Sequence, residues 1–305
     1  CLPILKNLIA ALALTPVFPA TPLHAGKVGD DAAPLKIKTW VKGKPADVKD
    51  GKGVYVVEFW ATWCGPCRTT IPHLTELQKR FKDKGVTFIG ISDEPADTVR
   101  PFVEKMGEKM DYAVACDDDR ACNTAYMQAF GQGGIPHAFI VGKKGEILWH
   151  GHPMAGLDKT LEQIVEGKFD IASAKKADAF AANLREYQQL ARDGDERAKT
   201  LGDQLLTDAG KNVDLLCQLA IAVGADVRNR RRDFDFAHKA AAAAETAAGK
   251  PTHQTLHAKA VVLFESGRKE EAIIAEKDAL AKCDDAQAKN FYERVLKFFE
   301  ENKNN

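Results

Sequence analysis

The chain has 305 residues, 45% apolar and 28% charged, with 43 basic side chains against 43 acidic ones. That length suits about two domains, and the composition is ordinary for a soluble globular protein. A net charge of zero gives no support to nucleic-acid or anionic-membrane binding, and the single basic cluster, Arg228-Asn229-Arg230-Arg231-Arg232, is broken by Asp233 and Asp235 and reads as a solvated loop.

The first 25 residues carry the parts of a secretory signal peptide. Lys6 is the sole charge before Lys27, 8–14 is a short apolar core, and Leu23-His24-Ala25 offers a cleavage site before Gly26. The core is short of the roughly 20 apolar residues that span a bilayer. The expectation is an exported protein, periplasmic or of the cell envelope, membrane-anchored if the segment stays in place.

From Leu35 to about Asp170, strand and helix signals alternate. Residues 55–60 are nearly continuous apolar sequence, as for a central strand covered on both faces. A helix is predicted over 64–81 with Ile71, Leu74 and Leu77 on one face, then a strand over 86–91. A helix follows over 95–106 with Pro101 inside it, a short strand over 112–116 and a helix over 119–130. After the glycine-rich loop 131–134, strands over 138–141 and 147–150 are joined by Gly142-Lys143-Lys144-Gly145, a hairpin signal. A helix over 157–166 closes the unit. Alternating elements predict a central sheet with helices on both faces, made mixed by the final hairpin. Beyond Asp170 strand signals vanish and alanine becomes abundant. A 35-residue offset relates Ala237 and Ala244 to Ala272 and Ala279, which resembles a tetratricopeptide repeat, with a plain helical bundle as the alternative. The expected domains are 1–25 as signal or anchor, 26–169 as the α/β unit, and 170–305 as an all-α, helical-repeat-like unit.

The chemistry centres on Cys64-Gly65-Pro66-Cys67. Two cysteines at this spacing, between an apolar strand and a helix, form a disulfide that opens and closes, and the helix N-terminus stabilises a thiolate. Half a zinc site or a structural disulfide are the competitors, but Cys116 and Cys122 do not supply a second ligand pair for zinc. Whether Cys116 pairs with Cys122, or Cys217 with Cys283, is open. His150-Gly151-His152 has too few nearby ligands for a metal site, and no cofactor is expected. Glu58 stands out in an otherwise apolar strand, where a carboxylate is costly unless it is paired or shifted in pKa.

The segment Phe59-Trp60-Ala61-Thr62-Trp63-Cys64-Gly65-Pro66-Cys67 resembles the active-site segment of the thioredoxin superfamily. Pro72, five residues after Cys67, and Ile135-Pro136 before an apolar strand extend the resemblance over 35–167. The signal peptide and the insertion between Ser92 and Phe130 make the exported TlpA-like redoxins the best fit. The resemblance implies an exposed nucleophile at Cys64, a buried resolving thiol at Cys67 and a proton-transferring acid at Glu58. It also implies a cis Pro136 that leaves the Ile135 backbone free to pair with an extended substrate, beside Trp63, Gly65 and Pro66. His137, where the family commonly has Thr, is expected to be partly exposed and without a role.

The function these features imply is thiol–disulfide exchange, reducing disulfides of a protein client and recharged by a thiol electron donor. The helical domain would hold a protein partner. A redox-sensing scaffold acting through the helices and a thiol peroxidase are the alternatives.

Overall fold

The computed structural model describes residues 26–304; the expected signal segment lies outside the described residues. The chain divides into two compact units, up to Phe169 and from Asp170 onward.

In the first unit β1 (Ile37–Lys42), β2 (Val54–Phe59), β3 (Val86–Ser92), β4 (Ala113–Asp117), β5 (His137–Val141) and β6 (Ile147–Gly151) form one sheet in the order β1-β4-β3-β2-β5-β6. Strands β2, β3 and β4 run parallel, and β1, β5 and β6 are antiparallel to their neighbours, so the sheet is mixed. Every residue of β2 is buried, because β3 and β5 flank it and both faces are covered. Helices α1 (Gly65–Phe81), α2 (Ala96–Met106) and α3 (Leu157–Val165) surround the sheet. Helix α1 buries Ile71, Leu74 and Leu77, and tolerates Pro72 within it.

Two local readings change. Sequence patterning missed β1, an edge strand whose IKTWVK sequence mixes lysines with apolar residues and is only half-buried. The helix expected over 119–130 starts late. Asp119 and Arg120 take φ of 50° and 60°, in the left-handed region closed to helices. The Asp117 carboxylate then accepts the N–H groups of Cys122 and Asn123, both at 2.8 Å, and the turn from Asn123 to Gln128 is a π-helix.

The second unit is helical: α4 (Ile171–Asp193), α5 (Arg197–Ala209), α6 (Val213–Gly224), α7 (Phe234–Ala248), α8 (His253–Glu265), α9 (Lys269–Lys282) and α10 (Ala286–Glu301). Side-chain caps start most of them, including Asp170, Asn212, Asp233, Asp285 and a reciprocal Thr252–Thr255 capping box. Ala237, Ala240, Ala241 and Ala244 bury the inner stripe of α7, where small side chains admit close helix approach. Ala272 and Ala279 are likewise fully buried on α9. The basic loop is tied down rather than merely solvated. Arg228 and Arg192 pair with buried Asp226, and Arg232 pairs with Glu265 and reaches the Gly224 carbonyl. Among the described residues no helix is long and apolar enough to cross a membrane.

Candidate active site

Strand β2 ends at Phe59, and the chain turns through Trp60 to Trp63 into α1. Cys64 is the N-cap of α1 and is joined to Cys67 by a disulfide. The Cys67 N–H donates to Cys64 Sγ at 3.1 Å. A helix N-terminus leaves such N–H groups without intrahelical partners, so this bond is a property of the CxxC position itself. It favours negative charge on Cys64 sulfur once the disulfide opens. Gly65 and Pro66 lie on the exposed outer side of the turn, and Pro66 occupies a first-turn position where its missing N–H costs nothing.

The Ile135–Pro136 peptide is cis, and the Ile135 carbonyl oxygen sits 3.8 Å from Cys64 Sγ. This contact corrects one expectation: Cys64 is only 3% exposed in the oxidised protein, because a loop 71 residues away in sequence covers its sulfur. Cys67 is fully buried. The apolar group presented to solvent is Trp63, 69% exposed. Beside it opens a cavity of about 270 Å³ lined by Trp63, Ile135, Phe59, Trp60, Met127 and Arg120.

Glu58 is 1% exposed in the middle of the sheet. Its Oε2 lies 3.3 Å from the Tyr112 hydroxyl and its Oε1 3.4 Å from Thr70 Oγ1. The single Thr70 hydroxyl proton is shared between that oxygen and the Cys67 carbonyl, 3.0 Å away, which links the acid to the first turn of the dithiol helix. Burial lifts the Glu58 carboxyl from its ordinary 4.5 to about 8, with the Tyr112 and Thr70 hydrogen bonds pulling the other way.

Two supporting residues escaped the sequence reading. Glu94, just past β3, accepts the Thr62 N–H at 2.6 Å and the Thr62 hydroxyl at 2.7 Å. Arg68 reaches back from α1 to the Thr62 carbonyl through Nε at 3.2 Å and Nη2 at 2.8 Å. Every polar atom of Thr62 is thereby held, two residues before Cys64. The sequence signal available was an acidic pair, Asp93-Glu94, after an apolar strand, which by itself reads as a loop.

His137 is buried rather than partly exposed, since it opens β5, and its Nε2 lies 3.1 Å from Nδ1 of His150 on the neighbouring strand. His152 instead accepts from the Met154 N–H in the following turn, so the two histidines of the His-Gly-His segment do not converge. Cys116, Cys122, Cys217 and Cys283 are free and buried, and the Cys122 thiol donates to the Lys36 carbonyl at 3.3 Å. Among the described residues no group of three or more His, Cys, Asp or Glu side chains is placed to hold a metal ion.

A mixed sheet with a disulfide at the N-terminus of the helix after its central strand, facing a cis-proline loop, defines a thioredoxin-like fold. Residues 28–150 match the model of the AhpC/TSA family. The thiol-disulfide oxidoreductase ResA of Bacillus anthracis is 36% identical over 119 residues, which make up 38% of this chain and 65% of ResA. Protein FixW of Rhizobium leguminosarum is 25% identical over 174 residues, 54% of this chain and 78% of FixW. A solved thiol:disulfide interchange protein from Bacteroides sp. is 26% identical, covering 46% of this chain and 91% of that one at a TM-score of 0.40. Residues 28–150 thus resemble a redoxin domain of the thioredoxin superfamily, and the match spans just under two thirds of ResA's length.

Proposed function

We propose that the chain is a thiol–disulfide oxidoreductase that reduces disulfides of exported protein clients through Cys64 and Cys67. The observation that carries this reading is the Cys67 N–H aimed at Cys64 Sγ at the start of α1, 3.1 Å away. In the reduced protein the Cys64 thiolate attacks one sulfur of the client disulfide. That S–S bond breaks, a mixed disulfide forms, and the client's first thiolate leaves and takes a proton from water. Cys67 then passes its thiol proton to the Glu58 carboxylate, directly or through one water. The Cys67 thiolate attacks Cys64 Sγ, the mixed disulfide breaks, and the client's second thiol is released. Two electrons have moved to the client, and the dithiol has become the disulfide of this structure. A thiol donor reverses the sequence on the protein side.

Trp63, Gly65 and Pro66 offer an exposed rim for the client, and the Ile135 backbone offers strand-like pairing beside the sulfur under attack. The segment 1–25 supports export to the periplasm or envelope, where disulfides persist. Equal burial of Ala237, Ala244, Ala272 and Ala279 supports a tetratricopeptide-like reading of the helices, whose role is to hold a protein partner.

The deciding experiment titrates the Cys64–Cys67 couple against glutathione or dithiothreitol. A potential near about −270 mV supports a reductant, and one near about −120 mV reverses the direction to oxidation. A chain with no titratable couple is not an oxidoreductase.

A further inference from the structure

We propose that Tyr112 is a positioning residue for proton transfer at the dithiol, its hydroxyl holding one oxygen of Glu58 while Thr70 holds the other. The inference deepens the oxidoreductase reading above and rests on it.

The sheet leaves a gap around Glu58. Glu58 lies opposite Gly90 of β3 and Ala138 of β5. Side chains in register on neighbouring strands share a face, so the carboxyl is flanked by a missing side chain and a methyl group. Other elements fill the gap. A Cβ at Gly90 would stand 3.0 Å from Tyr112 Cε2 and 3.0 Å from Trp60 Nε1. The Tyr112 ring thus sits in the notch that Gly90 leaves, and this seat brings its hydroxyl to Glu58 Oε2 at 3.3 Å. Trp60, just past the end of β2, closes the same notch, and Thr70 from α1 reaches the other oxygen.

A buried phenol bonded to a buried carboxyl is a poor device for stability alone. A well-packed apolar pair of similar volume is often as stable or more so. The arrangement is better explained by the proton that Glu58 holds. β3 contributes Gly90, β5 contributes Ala138, the turn after β2 contributes Trp60 and α1 contributes Thr70, with Cys67 behind it. None of these carries a fixed charge, and the titratable neighbour bonded to the carboxyl is Tyr112. The Tyr112 hydroxyl is itself pushed well above its ordinary 10 by burial, so it remains a donor throughout the working range. A donor favours the ionised carboxylate, the form that accepts the Cys67 proton.

The test uses the reduced full chain and one equivalent of an aromatic disulfide whose thiol product is coloured. Cys64 attack releases the first coloured thiol. Ring closure by Cys67 releases the second in a unimolecular phase whose rate is followed against pH. In the native protein that phase is expected to rise through a midpoint near the Glu58 value of about 8. Tyr112→Phe should move the midpoint up by about one pH unit at an unchanged plateau, which is about tenfold slower at pH 7. Gly90→Ala displaces the ring without removing the hydroxyl and should shift the midpoint in the same direction. Folding of each variant is verified by far-ultraviolet circular dichroism.

A Tyr112→Phe curve that overlays the native one, or that changes in plateau alone, overturns the proposal and leaves the oxidoreductase reading intact. If Glu58→Gln keeps the native pH dependence, Glu58 is not the proton acceptor and the inference falls with it. If the native reduced protein never releases the second equivalent, the oxidoreductase reading itself fails.

Discussion

Glu58→Gln separates the stability of this domain from its chemistry, because the two should move in opposite directions. Burial lifts the carboxyl from 4.5 to about 8. Between those values the folded protein binds more protons than the unfolded chain, so stability falls as pH rises and levels off above the folded value. At about 1.4 kcal/mol per pH unit, the loss is about 3 kcal/mol at pH 7 and about 5 kcal/mol above pH 8. Glutamine has the same shape and no charge to desolvate, and its amide can bond both Tyr112 and Thr70. The variant should match the native protein near pH 5, exceed it increasingly up to about pH 8, and keep a constant margin above that. Guanidinium unfolding of the oxidised chain measures this directly. All four tryptophans, Trp40, Trp60, Trp63 and Trp149, belong to the redoxin unit, so their fluorescence reports that unit alone. Ring closure by Cys67, in contrast, should slow at neutral pH for want of a proton acceptor. A stability difference that stays flat from pH 5 to 9 would refute the reasoning, whatever the activity does.

Other substitutions probe the frame around the dithiol. Glu94→Ala strips the Thr62 N–H and hydroxyl of their acceptor and should cost about 1–2 kcal/mol together with a loss of kcat/KM, with Glu94→Gln recovering most of both. Gly53 and Gly65 should respond differently to alanine. A Cβ at Gly53 meets the Gly85 carbonyl oxygen at 2.6 Å, so Gly53→Ala is expected to cost about 1–3 kcal/mol. A Cβ at Gly65 meets nothing within 4 Å, so Gly65→Ala should stay within about 0.5 kcal/mol in the same unfolding assay. Removing residues 171–305 should lower turnover of a protein disulfide while sparing oxidised glutathione. Equal losses on both substrates would disconnect the helices from client binding.

The amino-acid sequence by itself determined the order of elements from β2 to α3, the dithiol at a strand–helix junction and the helical character of the second unit. These follow from local facts: apolar runs, helical periodicity and the spacing of the two cysteines. The tertiary structure decided everything that depends on partners far along the chain. The edge strand β1 became visible only through its pairing with β4. The late start of the π-helical turn needed the backbone at Asp119 and Arg120. Cys64 is covered by Ile135, 71 residues on; Glu58 is held by Tyr112, 54 residues on; and Thr62 is clamped by Glu94, 32 residues on. Local pattern registers that a residue is apolar, charged or small. It carries no information on which distant segment becomes the neighbour, and in this fold that neighbour sets the exposure of Cys64 and the proton affinity of Glu58.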